Sequence, residues 1–252
     1  RPPRSTPSNS SAASDVYKRQ TYILAITQEC RLCDVADSLR AMIKALTGTE
    51  CEITDLSQLD SDDLIERGTH VLTVNGYVYL PARLRRFDAT RANRNWYMLC
   101  GVVSAALLLD NSFARIHGHP RYRTCEGLTG SDVWRVNLFQ IVEFTRVLRG
   151  ACRRWPGVRR LVAWGVQAEL TDAAAQNGPE RLLADALDDA LDVPALSHVR
   201  QVADDCVNCF DTARRLDEAW AQEVLAAYSS LAARPLRPIA FLSDFLFPVS
   251  LS

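Results

Sequence analysis

From Trp96 to Leu109 the sequence WYMLCGVVSAALLL carries almost no polar side chain, and Thr90 ahead of it marks a plausible helix start. Over Arg91–Leu109, Trp96, Leu99, Val103, Ala106 and Leu107 fall on one side of a helix, with further apolar residues on the others. A helix that is apolar on most faces belongs in the interior of a protein or of a membrane. The uninterrupted apolar part, Met98 to Leu109, is about a dozen residues and includes Ser104, whereas a membrane span needs roughly 20. The sequence therefore predicts a non-membrane domain built with this helix at its core.

The segment before it reads as a hairpin. Val71–Val74 and Tyr77–Leu80 flank Asn75-Gly76, a dipeptide that tolerates the two positive φ angles of the tight turn matching strand twist. Pro81 ends the second strand, because it has no amide to donate. Two short strands are not stable alone, so the hairpin is expected to pack on a helix or to join a short strand at Cys51–Thr54. The acidic stretch around these residues, Glu50 to Glu66, reads as a solvated connector, since its spacing fits no calcium loop.

The other elements follow from period and punctuation. Leu32, Val35, Ala36, Leu39, Met42, Ile43 and Leu46 make one helical stripe, with Gly48 placed as a C-terminal cap. Ser131 or Asp132 is expected to cap a helix running to about Arg154 on the stripe Trp134, Leu138, Ile141, Val142, Val147 and Leu148, and Trp155-Pro156-Gly157 stops it. Val158–Leu170 resumes as a helix. Pro179 sits at the first position of a short acidic helix, Glu180–Asp192. Ala195–Ala233 is predicted to be one long helix or two in line, with Val199, Val202, Cys206, Phe210, Leu216, Trp220 and Leu225 in register.

The ends differ from the middle. Residues 1–20 are polar and aperiodic, and SSAASDVYKRQ resembles translated sequencing-adapter read-through, so they are set aside as an artefactual or disordered tail. From Arg234 the chain is proline-punctuated and closes on an apolar run, which reads as a linker or the start of a further domain. The domain itself is assigned to residues 21–233.

Charge and composition narrow the function. Of 252 residues 48% are hydrophobic and 23% charged, and the formal net charge is -1, which argues against general nucleic-acid binding. Lys18 and Lys44 are the only lysines; a phosphate-binding role for the arginines and a GC-rich codon bias both explain this, and the bias is the plainer account. Arginines are dense between Arg83 and Arg160, while acids dominate after Asp172. Either the two groups pair within the fold, or they leave an adhesive face for a partner.

Eight cysteines and no apolar leader in residues 1–20 fit free thiols in a reducing cytoplasm. Cys30-x-x-Cys33 and Cys206-x-x-Cys209 have the spacing of a four-thiolate zinc site. Both pairs nonetheless fall in helical patterns, where Cys serves as a small buried hydrophobe, and a thioredoxin-like strand-to-helix setting is absent. His70, His117, His119 and His198 show no confirming ligand spacing, and His117 and His119 read as surface-loop residues. No phosphate loop, nucleophile elbow or dinucleotide fingerprint occurs. The sequence thus names no catalytic residue and no cofactor.

Three blocks carry a family resemblance. Ala45-Leu46-Thr47-Gly48 leads to a hairpin ending Tyr79-Leu80-Pro81-Ala82-Arg83-Leu84. Ala92-Asn93-Arg94-Asn95-Trp96-Tyr97 opens the apolar helix. Leu138-Phe139-Gln140-Ile141-Val142-Glu143 is followed by Arg154-Trp155-Pro156-Gly157-Val158. In order and spacing, over about residues 38–165, these blocks resemble the N-terminal helical region of NorD/CbbO-type von Willebrand factor A proteins, partners of MoxR-type AAA+ ATPases. The resemblance implies an accessory factor that joins a ring ATPase and helps to activate or remodel a client protein or metalloenzyme. The family's D-x-S-x-S metal loop belongs to a C-terminal domain and does not occur in this chain. Some relatives carry a zincin-like H-x-x-x-H in the second helix, paired with an acid in the third block. Cys100 and Ser104 stand at those positions, with Glu143 retained, so the resemblance implies that such a site has lost the imidazoles zinc would need.

The expectation is a mainly α domain with a two- or three-stranded β element, acting as a non-enzymatic adaptor for a MoxR-type ATPase and a client. The proposed contacts are Arg83, Arg85, Arg86, Arg91 and Arg94, and the corner holding Arg146, Arg149, Arg153 and Arg154, because arginine clusters steer and anchor acidic partners. The competing readings are a degenerate or active zincin-like metalloprotein using cysteine, histidine and glutamate, with Cys30, Cys33, Cys206, Cys209 and Glu143 as candidates, and an arginine-rich nucleic-acid-binding domain.

Overall fold

The computed structural model describes residues 28–58, 71–74, 76–109, 129–169 and 178–236. The fold is mainly α with a small β element: β1 (Cys30–Arg31), α1 (Leu32–Thr47), β2 (Glu52–Asp55), β3 (Leu72–Val74), β4 (Tyr77–Leu80), β5 (Arg83–Leu84), α2 (Thr90–Leu109), α3 (Val133–Arg154), α4 (Arg159–Glu169), α5 (Pro179–Leu187), α6 (Pro194–Asp205), α7 (Cys209–Arg215) and α8 (Ala219–Ala227), with short 3-10 turns between some of them. Among the described residues no helix is long and apolar enough to cross a membrane.

The N-terminal half assembles as its residue pattern requires. Gly48, at φ 72°, ends α1 and donates its N–H to the Lys44 carbonyl at 2.8 Å, a left-handed conformation that costs glycine little. β3 and β4 pair antiparallel with Val74 opposite Tyr77, and Gly76 has φ 82°. The hairpin does recruit a third strand: β2 joins β4 in parallel, giving the order β2-β4-β3. Val78 and Leu80 point into the core. Tyr97 then donates its hydroxyl to the Pro81 carbonyl at 2.6 Å, fixing the chain where proline ends the strand.

α1 lies along α2, and Gly101 permits the approach. A Cβ there would sit 2.5 Å from Met42 Cε and 3.0 Å from Leu39 Cδ2. α2 is buried over nearly its whole length, Trp96, Tyr97 and Leu99 included. It shares the centre with α3, where every residue from Asn137 to Leu148 is buried. The single apolar stripe expected on α3 therefore understates its burial. α3 is enclosed by α2, α4, α5, α6 and α7, and its polar residues Asn137, Gln140, Glu143, Thr145 and Arg146 are inside. Its start also differs from expectation: Asp132 flanks it without a side-chain cap bond.

The C-terminal third departs most from the sequence reading. Instead of one or two long helices over Ala195–Ala233, the chain folds into α6, α7, α8 and a 3-10 turn at Ser229–Ala232. The first break has a local cause. Cys206 adopts extended φ and ψ, and Asn208 caps α7 by accepting from the N–H groups of Phe210 and Asp211 at 3.0 and 3.1 Å. At the second, Trp220 Nε1 donates to the Arg215 carbonyl at 2.9 Å. α5 stops at Leu187, short of the predicted Asp192, where the Arg200 guanidinium of α6 binds the carbonyls of Asp185, Ala186, Asp188 and Leu191. Asp185 and Ala186 lie in the last turn of α5, Asp188 and Leu191 just past it, and a cation suits that end of the dipole.

Residues 234–236, assigned from the sequence to a linker, pack onto the helices. Asn137 Nδ2 donates to the carbonyls of Leu231 and Arg234, its Oδ1 accepts the Leu236 N–H at 2.7 Å, and Arg234 forms a two-nitrogen pair with Glu180 at 2.6 and 2.8 Å.

Candidate functional site

The two cysteine pairs lie at element boundaries, not within helices as the pattern implies. Cys30 is on β1 and Cys33 on the first turn of α1, while Cys206 follows α6 and Cys209 opens α7. Cys33 is exposed and the other three are buried. Burial raises the thiols of Cys30 and Cys206, and it pushes Cys209 up to about 12, the nearby Glu143 charge adding to the effect. Among the described residues, no three His, Cys, Asp or Glu side chains are gathered as a metal site. His198 Nδ1 lies 3.2 Å from Glu223; His70, His117 and His119 are outside the described residues.

The positions that the zincin-like resemblance singles out are engaged in other contacts. Ser104 Oγ is 2.9 Å from Thr73 Oγ1 of β3, both buried. Glu143 is fully buried and meets the Arg146 guanidinium at 2.8 Å one turn along α3, and Thr212 of α7 donates its hydroxyl to the same carboxylate. Arg146 is only 6% exposed. Its place inside the bundle removes it from the surface corner to which the sequence reading assigned it.

Two other arginines of that corner meet the acids of the C-terminal third. Arg149 pairs with Asp189 and Asp204, and Arg153 with Asp204. Burial pulls the Asp204 carboxyl up, but the hydrogen bonds from Arg149 and Arg153 outweigh it and hold the carboxyl below its ordinary range. Arg135–Asp217 joins the same two regions, and Arg234–Glu180 is a pair within the C-terminal third. Part of the charge segregated along the sequence is thus paired within the fold, through Arg135, Arg149 and Arg153. Arg154 stays exposed, its guanidinium 5.6 Å from the Trp155 ring centroid. Between the end of α3, α4 and α5 the structure leaves a cleft of about 420 Å³, bordered by Arg149, Cys152, Arg153, Arg159 and Asp189 over an apolar floor that includes Val162.

The other arginine group is the more accessible. β1 and β5 pair antiparallel with Arg31 opposite Arg83. Arg31, Arg83 and Arg85 are 56%, 66% and 52% exposed, and all three converge on Glu29. Arg85 Nε lies 2.6 Å from that carboxylate. Its hydrogen bonds hold the Glu29 carboxyl below the usual range. Arg86 stacks 5.9 Å from the Phe87 centroid, and Arg91 and Arg94 are exposed on the first turns of α2. No sequence signal marked Glu29 as their shared partner.

Comparison with protein-family models, with curated proteins and with solved structures returns no match for this chain.

Proposed function

We propose that the chain is a non-enzymatic helical adaptor that acts with a MoxR-type AAA+ ATPase to activate or remodel a client protein. The observation that carries the reading is the occupation of the would-be catalytic positions. Ser104 is bonded to Thr73, and Glu143 is held by Arg146 and Thr212. A general base or metal ligand needs a lone pair directed at substrate or ion, and this carboxylate spends its own inside the helix bundle. What the surface offers instead is arginine, best suited to a protein partner carrying carboxylates.

The test is to mix the purified chain with a purified MoxR-type AAA+ ATPase, and to follow complex formation by sedimentation velocity. A complex that raises ATP turnover is expected. Absence of a complex, or one stoichiometric zinc per chain by elemental analysis together with peptidase activity, overturns the adaptor reading.

A further inference from the structure

The β1–β5 ribbon places like charges directly across from one another. Arg31 and Arg83 are cross-strand partners and both are more than half exposed, an arrangement that destabilises an antiparallel pair. One carboxylate, Glu29, is shared among three guanidiniums, at 3.3 Å to Arg31, 3.8 Å to Arg83 and 2.6 Å to Arg85. Three positive charges and one negative leave +2 on these four residues.

The adjoining start of α2 adds to the excess. It has no acidic residue in its first turn, yet Arg91 and Arg94 are exposed there, at the end of a helix whose dipole disfavours cations. Residues 28–36 and 82–95 together hold six arginines against Glu29, Asp34 and Asp88, a local +3 in a chain whose net charge is -1. The two parts form one rigid surface. Buried Asn93 donates to the carbonyls of Gln28 and Phe87 at 2.7 and 2.8 Å and accepts the Phe87 N–H at 3.0 Å, which ties the ribbon to the helix start. Arg94 is near enough for its charge to act on the Cys30 thiol.

We infer that this surface, formed by Arg31, Arg83 and Arg85 of the ribbon with Arg91 and Arg94 of α2, is a docking site for an acidic polypeptide segment of the partner. Guanidiniums that outnumber the carboxylates around them among the described residues, at two unfavourable positions, are what a preorganised anion receptor requires. The ribbon already displays the recognition chemistry, because Arg85 brings two of its nitrogens to one oxygen of the Glu29 carboxylate, a charge-assisted contact of the kind arginine makes with acidic side chains. The outer faces of Arg31 and Arg83 remain to receive further carboxylates. A polypeptide is favoured over nucleic acid because a chain of net charge -1 offers a long polyanion no overall attraction beyond a local patch. The site gives the adaptor reading its partner chemistry and rests on that reading only for the partner being a protein.

The experiment uses the full chain and a fluorescein-labelled oligoglutamate peptide, followed by anisotropy. Saturable binding is expected, weakening as salt rises from about 50 to about 200 mM. Arg91→Glu with Arg94→Glu should weaken it about tenfold or more, and Arg160→Glu with Arg214→Glu, exposed on α4 and α7, should leave it within about twofold. If the first pair disturbs folding by circular dichroism, Arg31→Gln with Arg83→Gln takes its place with the same expected loss. No saturable binding at low salt, equal losses from both pairs of variants, or tighter binding of a single-stranded oligonucleotide of equal charge would each overturn the site. The titration contains no ATPase. A failed ATPase complex with intact peptide binding therefore removes the adaptor partner and keeps the site, and the reverse result does the opposite.

Discussion

The hydroxyls of Thr73 on β3 and Ser104 on α2 lie 2.9 Å apart inside the core, and they are each other's counterpart across the sheet–helix interface. A buried hydroxyl left alone keeps its desolvation cost, whereas removing both members of a pair removes the need for either. The pair is therefore a test of what position 104 does.

Thr73→Val and Ser104→Ala are each expected to cost about 1–3 kcal/mol, and the double variant to cost less than the sum of the two. Urea unfolding of the four proteins measures the coupling. Strict additivity would show that the two hydroxyls do not meet.

The Glu143–Arg146 pair is buried too, and it carries charge. Breaking it from one side takes the counter-charge from a buried ion, so Glu143→Leu or Arg146→Met alone should destabilise by about 3–5 kcal/mol. Replacing both by apolar residues of similar volume should recover most of that loss, since a buried ion pair barely repays its own desolvation. Unfolding free energies decide it: a double variant as unstable as the worse single one would mean that Thr212, which also donates to Glu143, dominates the network.

Acid should loosen the α3–α6 junction. The Asp204 carboxyl is depressed in the folded protein because its bonds to Arg149 and Arg153 outweigh burial. A depressed carboxylate stabilises the fold above its unfolded-state pKa of about 3.9 and loses that contribution as pH falls through the lower folded value. Asp204→Asn should thus show a stability deficit that is constant above about pH 5 and shrinks toward zero below about pH 3. Urea midpoints measured across that range for both proteins give the comparison, and a deficit independent of pH would assign the effect to something other than the carboxylate charge.

Much of the fold follows from the sequence where the signal is local. The Gly48 cap, the hairpin around Gly76 and the apolar face of α2 are set by residues within a few positions of one another. The arginine–acid pairing is not, because Arg149 meets Asp189 and Asp204 across 40 and 55 residues. Nor does a Glu and an Arg at i, i+3 announce burial, since Glu143 and Arg146 would look the same on a solvated helix face. Asn208 was legible in principle: an Asn just before Cys209 is a helix start, but the apolar register running on through Phe210 and Leu216 masked it. At the candidate docking surface the arginines could be named from the sequence. Their convergence on Glu29 could not, because it depends on pairing β1 with β5.

The close approach of α1 and α2 yields the last prediction. Gly101 faces Met42 Cε at 2.5 Å and Leu39 Cδ2 at 3.0 Å from where a Cβ would stand. Met42 is only partly buried and its methyl ends a flexible chain, so it can turn aside; Leu39, fully buried, has less room. Gly101→Ala should accordingly change stability by no more than about 1 kcal/mol, the helix-propensity gain of alanine offsetting the contact. Gly101→Val should cost about 1–3 kcal/mol through overpacking, and Met42→Ala in the same chain should return part of it. Thermal and urea unfolding of these variants measure the effect. Failure of Met42→Ala to relieve the valine would place the limiting contact at Leu39.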